Sequence, residues 1–158
     1  MEIDFIFPGE PVPYTMMTQN NKWADAPQKY LKYKHALARA LKEAFSQFQI
    51  PEEPPKKTPE HKAWKKEQKH TFYGLGVDVW LARDIGDHDN FRKGAQDSLQ
   101  VAGLIWNDKK VIHTLSAWRL IDEENPRLRL RLIKLNPEEI PGLAVKDEKR
   151  KKKAREND

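Results

Sequence analysis

The 158 residues contain no cysteine, which excludes a disulfide framework and any thiolate metal site. A chain of this length holds one domain with one core, and its net charge of +5 suits a nucleic-acid partner without demanding one. The start MEIDFIF carries acids where a secretory leader has a basic region, and no apolar run approaches the length of a membrane span, so a cytoplasmic protein is expected.

Ile3, Phe5 and Phe7 alternate with Glu2, Asp4 and Ile6, a period of two that predicts a strand over residues 2–7. Pro8, Gly9, Pro11 and Pro13 break it into a loop. Beyond the loop stand Tyr14 and Trp23, rings suited either to stacking on DNA bases or to shielding a sheet edge. Over residues 27–48, Tyr30, Leu31, Leu37, Ala38, Leu41, Phe45 and Phe48 recur at helical spacing, with Lys29, Lys32, Arg39 and Lys42 on the other face. That face is either simply solvated or, from Lys29 and Lys32, an edge that touches phosphate. Residues 51–69, PEEPPKKTPEHKAWKKEQK, are too polar to make a core layer and read as an inserted excursion over 51–70. Within it, residues 59–70 suit a short exposed helix with Trp64 inward; His61 and His70 are too scattered for metal ligands.

Residues 71–82 set Tyr73, Leu75, Val77, Val79 and Leu81 against Phe72, Gly74, Gly76, Asp78 and Trp80, which predicts a strand with one strongly apolar face. A helix over residues 90–102 follows. Phe91, Ala95, Leu99 and Ala102 form its apolar side, while Asp89, Lys93 and Asp97 share a polar one. Asp89 or Asn90 is the expected N-cap, and Gly103 the left-handed residue that ends the helix. Residues 111–122 and 127–134 read as a hairpin closed around residues 123–126. Its arginines, Arg127, Arg129 and Arg131, face either solvent or a dimer or DNA surface. From residue 136 the chain turns polar, so we expect a domain over 1–135 and, over 136–158, a charged extension or tail, plain or acting as a basic arm on DNA. Strand, helix, excursion, strand, helix and hairpin together suggest an α+β domain, a mixed β-sheet with helices packed against it.

The stretch from Asp84 to Asp108, DIGDHDNFRKGAQDSLQVAGLIWND, carries the chemistry. Its acids, Asp84, Asp87 and Asp89, crowd the entrance of a helix. Neighbouring carboxylates repel, and a hard divalent cation removes that penalty. Asp87 and Asp89, two residues apart, can aim at one ion, with Asp108 returning from the far end if the fold brings it back. The plainer alternative is a solvated acidic helix entrance favoured by the helix dipole. Lys93, one turn inside, leans back toward the acids because long helical side chains point N-terminally. His88 and His113 flank the acids and read as surface histidines.

The run D-x-D-N-x-x-K at Asp87, Asp89, Asn90 and Lys93, then Asp97, Gly103 and W-N-D-K-K-V over Trp106 to Val111, resembles the RusA family of Holliday-junction resolvases, often carried by prophages. The proline-rich opening resembles that family too. Two departures stand out: Asn107 replaces the first aspartate of the family's turn, and residues 14–19 lack the basic run seen in many relatives. The resemblance implies a homodimeric RusA-like fold acting in DNA recombination and repair. Each protomer would nick one strand of a four-way branched DNA junction, with Mg²⁺ as cofactor and Mn²⁺ as a substitute. It implies Asp87, Asp89 and Asp108 as metal-binding and catalytic acids and Lys93 as the group that steadies transition-state charge. Asn90 would cap the helix or orient an acid; Asp97 would fix Lys93 or serve a plain structural role. The alternatives are a structure-selective DNA-binding protein that has lost cleavage, and a nuclease for flaps or forks.

Overall fold

The computed structural model describes residues 1–143. At its centre lies β2 (Tyr73–Leu81), in which every residue except Trp80 is buried. The expectation of a single apolar face is therefore corrected. The second face is covered because Gly74 and Gly76 leave room for the strand beside it. A Cβ on Gly74 would lie 3.0 Å from Leu115 Cδ2, and one on Gly76 would lie 2.5 Å from Ser116 Oγ. Asp78, also buried, accepts from Ser116 Oγ and from the Trp118 N–H, each at 3.0 Å, so its carboxylate is satisfied by the neighbouring chain.

The sheet is mixed. On one side of β2 lies β5 (Arg127–Lys134), antiparallel to it, followed by β1 (Glu2–Pro8), antiparallel to β5. On the other side β3 (Val111–Ser116) and β4 (Arg119–Ile121) both run parallel to β2. The expected hairpin between residues 111–122 and 127–134 does not form, since β2 lies between its two arms. Close spacing in the chain favours a hairpin, but a central strand buried on both faces takes partners on both edges. The helix after β2 carries the chain back to start a parallel strand, as a β-α-β unit requires. The break at Ala117 and Trp118, where the Trp118 amide turns to Asp78, splits the expected strand into β3 and β4.

The helices obey their apolar periodicity. α1 (Asp25–Ala44) buries Tyr30, Leu37, Ala38 and Leu41, and a 3₁₀ turn over Ser46–Phe48 replaces the last turn of the single helix expected over 27–48. α2 (Pro59–Lys69) is capped by the Thr58 hydroxyl, which accepts the His61 N–H at 3.1 Å, and buries little beyond Gln68. α3 (His88–Val101) buries Phe91, Ala95 and Leu99 against the core formed with α1 and the sheet. Its N-cap is Asp87, not Asp89 or Asn90. The His88 ring donates to the Val77 carbonyl at 2.7 Å, tying the first helical residue to β2 and starting the helix earlier than its apolar stripe. Gly103 ends α3 at φ +74°. Its N–H meets the Gln100 carbonyl at 3.1 Å and the Leu104 N–H meets Leu99 at 3.0 Å, the paired bonds of a Schellman cap. No helix among the described residues is long and apolar enough to cross a membrane. Beyond a 3₁₀ turn at Pro137–Glu139, most of the expected charged tail lies outside the described residues.

Candidate nuclease site

β2 delivers the chain to the acid loop, and the loop is stapled from both sides. Asp84, first of the expected acids, is paired with Arg119 of β4, whose Nε also donates to the Gly86 carbonyl at 2.8 Å. Asp84 is thus a structural ion pair. Asp87 and Asp89 are exposed at the start of α3; Asp87 makes no side-chain capping bond, so its oxygens are not spent on the helix. Asp89 sits in the first turn, where the helix dipole favours negative charge.

One turn on, Lys93 Nζ lies 2.7 Å from Asp97 Oδ1 and 3.3 Å from Asp108 Oδ2. Asp108 is thereby brought back to α3 from the far end of the motif. It opens a 3₁₀ turn (Asp108–Lys110) capped by Asn107, whose Oδ1 accepts the Lys109 N–H at 2.9 Å. The replacement of aspartate by Asn107 keeps the capping acceptor while removing a charge. Hydrogen bonding to Asp97 raises the Lys93 pKa above its ordinary value against a smaller opposing effect of burial, with Asp108 adding to the rise. The ammonium is therefore firmly protonated.

Asp97 in turn accepts from the Tyr30 hydroxyl of α1 at 2.7 Å. Tyr30 is 2 % exposed; burial, then the Asp97 hydrogen bond, raises its pKa well above the ordinary phenol value, so it remains a donor. The sequence places Tyr30 on the core face of α1 and contains no signal that its hydroxyl reaches α3. The proline-rich loop closes over the same place. The Tyr14 N–H donates to the Asn90 carbonyl at 3.0 Å, and the Tyr14 ring meets that of Tyr30 edge-on at 5.3 Å. Gly94 permits this crossing, since a Cβ there would lie 3.3 Å from the Tyr30 ring.

The structure thus gathers Lys93, Asp97 and Asp108, with Asp87 and Asp89 at the head of the same helix. Asn90 does not cap α3; it lies inside the first turn. Trp23 is 79 % exposed, with Lys22 beside its ring, and so does not shield a sheet edge. Lys29 and Lys32 are exposed on α1. His113 is exposed as well. The arginine row is held within the chain: Arg129 grips Asp4 at 2.9 and 2.6 Å, Arg127 pairs with Asp122 at 2.9 Å above the Trp80 ring, and Arg131 donates to Ser116 Oγ at 3.0 Å.

Three carboxylates and no thiolate suit a hard divalent cation. Among the described residues, however, no three His, Asp or Glu side chains are grouped so that they could hold a metal ion. Asp108 answers Lys93 instead, and a cation shared with Asp87 and Asp89 would require it to turn from that lysine or share it.

No curated protein matches the chain. A family model described as endodeoxyribonuclease RusA matches residues 8–133, from the end of β1 through nearly all of β5, and so takes in every side chain of this site. The chain belongs to the RusA family, and its activity is that of a DNA-hydrolysing endonuclease that resolves Holliday junctions.

Proposed function

We propose that Asp87, Asp89 and Asp108 are the acids of the cleavage site and that Lys93 steadies the charge that builds on the scissile phosphate. The observation that carries this reading is the return of Asp108 to α3, 3.3 Å from Lys93 and at the end of the helix that begins with Asp87 and Asp89. Phosphodiester hydrolysis needs a water aligned behind the phosphorus and compensation for negative charge in the transition state. A divalent cation held by Asp87, Asp89 and Asp108, Mg²⁺ with Mn²⁺ as a substitute, would supply that positive charge. Lys93, kept protonated and aimed by Asp97, offers a donor to a phosphate oxygen. Asp97 is a positioning residue for Lys93, and Tyr30 acts through Asp97 in the same way.

The protein acts as a homodimer in this reading, because two symmetric nicks need two sites. Ile112, Trp118, Leu120 and Ile121, large apolar side chains exposed along β3 and β4 and the turn between them, are the surface that a second copy would cover. Exposed Trp23, with Lys22, Lys29 and Lys32 nearby in sequence, is suited to base stacking and phosphate contact. A cytoplasmic place of action belongs to the same proposal.

The test is cleavage of four-way, three-way and linear duplex substrates in Mg²⁺ and in chelator. The expected result is paired nicks in the four-way junction that vanish with chelator. Equal cleavage of all three substrates, or cleavage that persists in chelator, would contradict it.

A further inference from the structure

The excursion over 51–70 contributes little to the core, yet it is not a loose surface loop. Trp64 Nε1 donates to the Pro51 carbonyl at 3.1 Å, and its ring stands edge-on to that of Trp106 at 5.6 Å. At the other end of α2, the Lys69 carbonyl accepts from Lys110 Nζ at 2.6 Å. Trp106 and Lys110 bracket Asp108. Both tethers therefore fasten α2 to the turn that carries the far acid of the cleavage site.

The charges on α2 are sorted. At about 100° per residue, Lys62, Lys65, Lys66 and Lys69 fall within one arc of about 100°. All four are exposed. His61, Trp64 and Gln68 fall on the side turned to the body of the protein, and Glu60 and Glu67 lie off the lysine arc. Within that arc the i, i+3 and i, i+4 neighbours of each lysine are other lysines, an arrangement that destabilises a helix. None of the four makes an ion pair among the described residues. The Thr58 cap and the two tethers hold the helix in spite of this repulsion. A polyanion laid along the face would relieve it.

We propose that α2 is a phosphate-backbone arm that grips the duplex flanking the strand to be cut, fixed relative to Asp108 by Trp64 and Lys110. The proposal rests on the family-based reading of branched DNA as substrate. Lysine is a compact, flexible cation that binds phosphate as a point charge, so the arm holds DNA without reading sequence.

The experiment is junction binding by the full chain in chelator across a range of salt, comparing wild type with the triple variant Lys62→Gln, Lys65→Gln, Lys66→Gln. Glutamine has nearly the helix propensity of lysine, and far-UV circular dichroism checks that α2 is retained. Each lost phosphate contact should reduce the slope of log K against log salt by about 0.9. The triple variant is thus expected to be shallower by about 2 to 3, with a hydroxyl-radical footprint shortened on one arm. Each single variant should show about a third of that change. An unchanged slope and footprint would overturn the arm while leaving the nuclease assignment intact. A wild-type protein that binds no branched DNA would overturn both.

Discussion

Tyr30, Asp97, Lys93 and Asp108 form a line of contacts from the core to the surface, and each link has a separate consequence. Tyr30→Phe removes the donor that fixes one oxygen of Asp97. A hydrogen bond to a charged group contributes about 1.5–3 kcal/mol, and the lower end applies because Asp97 keeps Lys93 as a partner. We expect a stability loss of about 1–2 kcal/mol in urea unfolding, cleavage slowed by about tenfold, and unchanged junction affinity. If Tyr30 works through Lys93, the cleavage losses of Tyr30→Phe and Lys93→Ala should not add; additive losses would show that Tyr30 is merely structural. Tyr33, one turn further along α1, is the matched contrast. Its hydroxyl is buried without a partner, and burial pushes its pKa up. Tyr33→Phe should leave stability unchanged or raise it by up to about 1 kcal/mol, because no bond is lost and a desolvated polar group is removed.

At the scale of elements, α3 obeys the rules read from its sequence almost throughout. Its apolar stripe, polar stripe and glycine end are all where a period of 3.6 puts them. Gly103→Ala should cost about 1–2 kcal/mol in urea unfolding, since an alanine at φ +74° pays the left-handed penalty inside a doubly bonded cap. A loss below a few tenths of a kcal/mol would mean that the cap can be rebuilt without glycine. What could not be read from α3 is its first residue, because the bond from His88 to Val77 is a tertiary contact with no local signature. The same limit explains the other differences. Alternation in residues 111–122 and 127–134 announces strands but not partners, and the buried second face of β2 decides those partners. Tyr30 was legible as a core ring from its phase in α1. Its hydroxyl partner lies 67 residues away, a relation that neither composition nor period encodes. The acid motif itself was legible because its spacing is local; how Asp108 divides itself between Lys93 and the other acids depends on the turn capped by Asn107.

For the whole molecule, ion pairs across the sheet set the acid response. The Arg129 guanidinium holds the Asp4 carboxyl below its ordinary value of 3.8. A lowered folded value means stability that is fully present above the ordinary carboxylate range and lost as pH falls through the folded pKa. Arg129→Gln should flatten that acid limb in urea titrations, with little effect at neutral pH because the pair is exposed. At the alkaline end Lys93 and Tyr30 are both raised. Their contribution is therefore complete below their unfolded values, about 10, and lost as pH climbs through the folded ones. The dimer reading predicts that Trp118→Glu, a charge placed on the apolar β3–β4 edge, yields monomers in sedimentation; a dimer that survives it would move the interface elsewhere. The most direct test of the whole account is Asp89→Asn, assayed on a synthetic four-way junction for affinity in chelator and for nicking in Mg²⁺. The account predicts affinity at or above the wild-type level with nicking reduced by several orders of magnitude. Nicking at the wild-type rate would contradict it.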